Sequence, residues 1–265
     1  MNEAIGDMLL DALTVLDVKR AASSISEKNH TYNERIRRYK AFLRWCYTNE
    51  LLKENIADRI TKLPDNRKER IQDKYLEVDE LKRLLDGMKV PMWYYLTYCM
   101  VLSGLRIGEA FALTVDDVGK YITVDKTYSL TIKEVGPTKT DGSTREVFVQ
   151  PELRKLLDEY EIFRAENFTK TKVYFPGNVG GYLGYNAYNK YLRQTSQKAI
   201  GRVITPHALR HTSASLLIAQ GVPLETVSRR LGHSDSHITK AIYLHLTEQL
   251  KKSDDEAIAR TQLLP

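Results

Sequence analysis

Five of the chain's six histidines fall between His207 and His245, and the same stretch holds Arg210, Arg229, Arg230 and Tyr243. Two pairs, His207 with His211 and His233 with His237, are four residues apart. On a helix that interval puts both rings of a pair on one face. Paired imidazoles are the start of a zinc site, which then needs further Cys, His or carboxylate ligands. The neighbours here have the wrong charge for that. Arg210 adjoins His211, Arg229 and Arg230 lie four and three residues before His233, and Asp235 is the one acid close by. Clustered guanidiniums repel a dication and attract an oxyanion, so a metal is not expected.

The same mixture suits phosphate chemistry. Arginine offers planar, bidentate contact to phosphoryl oxygens. Histidine gives or takes a proton near neutral pH. A tyrosine hydroxyl becomes a nucleophile when a base or cation beside it eases deprotonation. Two guanidiniums that neutralise the non-bridging oxygens can stabilise the transition state without a metal. The competing role for Tyr243, one of sixteen tyrosines, is a place in the core beside Ile238 and Ile242. His237 and His245 read as supporting or surface groups.

Several elements must carry these groups. Thr205-Pro206 has the chemistry of an N-cap and first helical residue, and Gly221 ends that helix. Pro223 and Gly232 bracket a second, and Asp235 or Ser236 starts a third that carries Tyr243. Upstream, the uncharged run from Val90 to Leu105 is too short to span a bilayer and reads as a buried helix. Three strand-like runs follow, "YITVDKTY" (121–128), "SLTIKEV" (129–135) and "STREVFV" (143–149), with turn chemistry at Gly136-Pro137 and Asp141-Gly142. They predict a small antiparallel sheet in a helical domain. Residues 1–63 read as helical, and 64–74 as a polar linker. In "TYNERIRRYKAFLRWCYTNELL" a stripe of Ile36, Tyr39, Phe42, Leu43 and Cys46 faces a core, opposite Arg35, Arg37, Arg38, Lys40 and Arg44. That basic face fits a phosphate backbone or plain solvent equally.

The motifs together carry a resemblance. "TPHALRHTSASLLIAQG" followed by "LGHSDSHITKAIYLH" is similar to the C-terminal signature of the tyrosine recombinase (phage integrase) family, with the tyrosine ten residues after the L-G-H histidine. "LSGLRIGEAFAL" resembles the family's first arginine box, and "GPTKTDGSTREVFV" its β-hairpin lysine box. The order and spacing agree over about residues 75–250. The resemblance implies a mainly α fold with a small antiparallel sheet (α+β). A catalytic domain at 75–250 would follow a partial helical core-DNA-binding domain at 1–63, with a tail at 251–265 that docks on a neighbouring protomer. It implies that Arg106 and Arg210 clamp a scissile phosphate and that Lys139, at a hairpin tip, protonates the leaving 5′-hydroxyl. His207 would orient the phosphate and assist proton transfer, His233 would bond a phosphoryl oxygen, and Tyr243 would attack. The implied activity is site-specific DNA recombination through a 3′-phosphotyrosyl intermediate, without metal, ATP or other cofactor, on double-stranded DNA, by a tetramer on paired sites. Arg35, Arg38, Arg44, Arg229 and Arg230 are candidate DNA contacts. Taken singly, Arg106 could be a helix cap, Lys133 and Lys126 rival Lys139, and Glu109 and Asp116 read as supporting groups.

Bulk properties agree with a DNA-acting, cytoplasmic protein. The 265 residues are 42% hydrophobic and 28% charged, a globular composition. Cys46 and Cys99 make no disulfide framework, and the acidic N-terminus lacks the basic start of a signal peptide. Net charge is +6, but the first eighteen residues carry four acids and no Lys or Arg, and the last thirteen carry three acids and one Arg. Residues 19–252 therefore hold +12, which fits a polyanionic partner or, equally, a solvated and mildly basic surface; no membrane partner is expected. Two further readings share these features. One is a type IB topoisomerase-like enzyme. The other is a non-catalytic regulator that uses "VPLETVSRRLGHSDS" as a helix-turn-helix.

Overall fold

The uncharged run becomes a helix, Pro91–Ser103, around which the larger part of the chain is built. A computed structural model describes residue 6 and residues 8–24, 28–64, 71–138, 143–168, 170–177, 180–232 and 239–247. The chain divides into two units, Met1–Glu69 and Arg70–Pro265.

In the first unit, helix α1 (Val15–Ser23) starts at a reciprocal cap. The Thr14 hydroxyl accepts from the Asp17 backbone, and the Asp17 carboxylate accepts from the Thr14 backbone. Helix α2 (Asn29–Thr48) buries Tyr32, Ile36, Leu43 and Cys46 against Val18, Ala22, Ile56 and Ile60. The predicted stripe is therefore correct at Ile36, Leu43 and Cys46. Phe42 departs from it: the ring is exposed and stacks on exposed Trp45. It is one position off the buried face, because a stripe of 3.6-residue period cannot hold both 42 and 43 at its centre.

In the second unit, α3 (Val78–Gly87) opens with a Glu77–Glu80 capping box and α4 (Pro91–Ser103) with proline at its first position. Helix α4 is apolar around its whole girth, as a helix packed on several sides must be, and it touches both α6 (Pro151–Asn167) and α8 (Pro206–Ala219). Gly104 stops it in the left-handed conformation, φ 73°. Helix α5 (Ile107–Ala112), α7 (Tyr185–Ile200) and α9 (Leu224–Leu231) complete the numbered helices, and residues 239–247 are helical. The predicted Thr205 N-cap and the Pro223–Gly232 bracket fall where expected. The predicted helix start at Asp235 or Ser236 lies outside the described residues. Among those residues no helix is long and apolar enough to cross a membrane.

The β structure corrects the sequence reading. Two separate two-stranded antiparallel sheets replace one: β1 (Tyr121–Val124) with β4 (Arg145–Phe148), and β2 (Lys126–Tyr128) with β3 (Val135–Pro137). Most of the run 129–135 is a turn. Ser129 exchanges backbone bonds with Lys133 and Glu134, and Lys133 is left-handed at φ 58°. Leu130 and Ile132, which made the run look strand-like, are exposed. Alternation without a face to bury does not make a strand.

Candidate active site

Arg106 stands between Gly104 and α5 as the N-cap residue of α5, so it is a cap as well as a site candidate. Its backbone N–H donates to Glu109 Oε2 at 2.8 Å, and its Nη1 to Glu109 Oε1 at 2.7 Å. Its Nη2 donates to the carbonyl of Gly232 at 3.1 Å. A third of the side chain is still exposed. Arg210, on the second turn of α8, is only 2% exposed. Its Nη1 donates to the Gly104 carbonyl at 2.7 Å and its Nη2 to the Leu231 carbonyl. Adjacent carbonyls, at 231 and 232, thus hold the two guanidiniums side by side.

Glu109 is the buried counter-ion, as the reading of it as a supporting group expects. Burial alone would raise its carboxyl, but bonds and charge from Arg145, then from Arg106, outweigh that and hold it below the usual range. Arg145 contributes Nη2 at 2.8 Å and Nη1 at 3.1 Å to its two oxygens.

The local field is positive, as its effects on neighbours reveal. Burial and then the Arg106 charge push the Arg210 guanidinium down to about 9, so it stays cationic at neutral pH. His207, at the surface of the first turn of α8, is held below its usual value by desolvation, then by Arg210 and Arg106. A neutral imidazole beside two guanidiniums can accept a proton. His211 lies 6.4 Å from His207, ring centre to ring centre. It is buried, and desolvation followed by His207 pushes it down to about 4. Among the described residues no group of three or more His, Cys, Asp or Glu side chains is placed to hold a metal ion.

Tyr243 is half-buried on the helical segment 239–247. That segment buries Thr239 and Ile242 fully. Tyr243 packs on a cluster of Tyr75, Ala214, Ile218, Val227, Leu231 and Ile242. The helices that supply this platform, α8 and α9, are those that carry Arg210 and the carbonyl it binds. Lys139 and His233 lie outside the described residues, as do His237 and the tail 251–265. Of the rivals to Lys139, Lys126 is tied to Asp117 at 2.7 Å, and Lys133 sits exposed in the 129–134 turn.

The candidate DNA contacts separate into two kinds. Arg38 and Arg229 are exposed. Arg44 is exposed but pairs with Asp58 at 2.7 Å, and half-buried Arg35 reaches the Ala22 carbonyl at 3.4 Å. Arg230 does not fit the role. Its guanidinium donates to Phe148 O at 2.8 Å, Leu102 O at 3.0 Å and Gln150 Oε1 at 2.6 Å. Those bonds tie α9 to the body of the unit.

Arg145 was missed from the sequence, although a signal was present. In "STREVFV" it alternates with Val147 and Val149, both buried. An arginine on the inward face of a strand must find a buried partner.

Comparison with known proteins gives this arrangement a family. The prophage ps2 probable integrase of Lactococcus lactis subsp. lactis is 31% identical over 238 residues, spanning 81% of this chain and 61% of that protein. Transposase A from transposon Tn554 of Staphylococcus aureus is 28% identical over 187 residues, spanning 69% and 52%. The chain thus spans between about half and three fifths of the length of these curated relatives. The Tn1549 transposon integrase, solved in complex with a circular intermediate DNA, superimposes with a TM-score of 0.69 at 21% identity, over 88% of this chain and 82% of that one. A lambda integrase dimer bound to a core site gives 0.64 at 13% identity, over 91% and 83%. These likenesses establish the fold, mainly helical with small antiparallel sheets. Residues 74–249 match the phage integrase family, and the chain belongs to it.

Proposed function

We propose that the protein is a site-specific DNA recombinase that breaks and rejoins double-stranded DNA through a 3′-phosphotyrosyl intermediate. The observation that carries this is the pair of guanidiniums, Arg106 and Arg210, held against adjacent carbonyls of one helix end. They form a cationic seat for a phosphodiester, with a half-buried tyrosine on the same platform.

The Tyr243 hydroxyl attacks the phosphorus, and the bond to the 5′-oxygen breaks. His207, neutral at pH 7, takes the phenolic proton. Lys139 gives a proton to the departing 5′-oxygen, which leaves as a hydroxyl, and His233 donates to a phosphoryl oxygen. Arg106 and Arg210 bear the charge that builds on the non-bridging oxygens. Attack by a 5′-hydroxyl of the partner DNA on the phosphotyrosine reverses the step and frees the tyrosine. Each step exchanges one phosphoester for another, so ATP has no place in the balance. Arg38 and Arg229 contact DNA, residues 1–63 serve as a core-DNA-binding domain, and the working form is a tetramer on paired sites inside the host cell. Lambda integrase has been solved as a tetramer on a Holliday junction.

A nicked suicide substrate carrying the element's own junction tests this. Cleavage lets the short 5′-hydroxyl fragment diffuse away and traps the protein on DNA. The adduct is expected in EDTA and without ATP. A strict need for a divalent metal or for ATP, or relaxation of supercoils at random sites without a partner site, contradicts the reading.

A further inference from the structure

Three consecutive carbonyls at the C-terminal end of α9 each receive a guanidinium. Arg145 Nε donates to Arg230 O at 2.7 Å, Arg210 Nη2 to Leu231 O, and Arg106 Nη2 to Gly232 O at 3.1 Å. The last carbonyls of a helix have no partner within it, and they carry the negative end of its dipole. Here that end is a template that aligns three cations. Arg145 and Arg106 also share the two oxygens of Glu109.

Arg145 differs from the other two. Its side chain is 6% exposed. Its Nε, Nη1 and Nη2 are all spent on protein: the Arg230 and Ser143 carbonyls and the Glu109 carboxylate. It therefore has no open edge for a substrate. We infer that Arg145 is a positioning residue, which fixes Glu109 and the end of α9 so that Arg106 and Arg210 keep their geometry toward the scissile phosphate. The inference rests on the phosphoryl-transfer reading above. Arginine is required because one planar fork must serve a carboxylate and two carbonyls at once. A lysine at 145 offers a single point charge.

The test compares wild type with Arg145→Lys and Arg145→Met on two nicked substrates. One has an ordinary scissile phosphodiester; the other has a neutral methylphosphonate at that position. DNA binding is measured in parallel by fluorescence anisotropy. Both variants are expected to bind close to wild type and to cleave the phosphodiester about 10²-fold more slowly, the scale of one lost oxyanion donor. On the methylphosphonate the deficit should shrink to about tenfold or less, because less charge then needs neutralising. An equal deficit on both substrates, or wild-type rates, overturns the inference.

Arginine side-chain NMR supplies a readout free of activity. In Arg145→Lys the Nε–Hε signals of Arg106 and Arg210 should move, while that of Arg202, held elsewhere by Glu80, should not. Unmoved Arg106 and Arg210 signals also overturn it. If wild type cleaves neither substrate, the phosphoryl-transfer reading fails, and the positioning role is judged on these signals alone.

Discussion

Arg210 is the residue on which the site depends most, because one buried side chain reaches two different segments. Its bonds to the carbonyls of Gly104 and Leu231 join the end of α4 to the end of α9. Arg210→Lys keeps the charge but loses the fork. Cleavage should fall by about 10²–10³-fold, while binding changes far less, since the phosphate backbone supplies most of the affinity. Near-normal single-turnover cleavage by this variant would remove Arg210 from the phosphate. His211 gives a second prediction. Its imidazole is pushed down to about 4 in the folded chain, against 6.5 unfolded. The unfolded chain therefore takes the proton first, and stability, complete above pH 6.5, declines as pH falls toward 4. The full loss is on the order of 3 kcal/mol. His211→Leu should flatten the fall in melting temperature between pH 7 and pH 5. An unchanged fall would place the titration elsewhere. At this scale the sequence was legible wherever a residue type announces its chemistry. Arg106, His207, Arg210 and Tyr243 could be nominated from spacing and resemblance. Arg230 could not be separated from Arg229, because exposure depends on which neighbour supplies carbonyls. Glu109 was read as a support, but its second partner, Arg145, comes from a strand 36 residues away.

At the scale of elements, the site depends on how helix ends meet. Gly104 is the point of closest approach. A Cβ there would lie 2.4 Å from Leu231 Cδ2, and the φ of 73° already disfavours any side chain. Gly104→Ala should cost about 1–3 kcal/mol from strain and overpacking. It should also slow cleavage by more than its loss of folded protein accounts for, since Leu231 carries the carbonyl that Arg210 binds. A stability loss with an unchanged rate per folded molecule would separate Gly104 from the site. Helix boundaries were readable here because proline, glycine and capping side chains mark them locally. The strands were not. β1 pairs with β4 across 21 residues, and the two-sheet arrangement is fixed by pairing, which the local pattern of 129–135 does not encode. The tip of the β2–β3 hairpin is the 129–134 turn, and Lys139 stands in the sequence between β3 and β4, outside the described residues.

At the scale of the whole molecule, the charge distribution sets how the proposed recombinase would meet DNA. Residues 19–252 carry +12 between acidic ends, so the observed association constant should fall steeply and linearly with salt on logarithmic axes. Arg229→Ala and Arg38→Ala should each lower that slope by about one phosphate contact and leave melting unchanged. Arg230→Ala should do the reverse. Its loss removes one donor each from Phe148 O, Leu102 O and Gln150 Oε1, although Leu102 O keeps its bond from Gln150 Nε2, and should lower the melting temperature with little change in slope. Both effects are read from anisotropy titrations at several salt concentrations and from thermal melts. The most direct measurement of the central claim is peptide mapping of the DNA-linked protein. After trapping on a nicked site in EDTA and digestion with protease and nuclease, mass spectrometry should find a nucleotide on Tyr243 alone of the sixteen tyrosines, and Tyr243→Phe should bind the site yet form no adduct. A nucleotide on any other residue, or an adduct that survives Tyr243→Phe, would contradict the account.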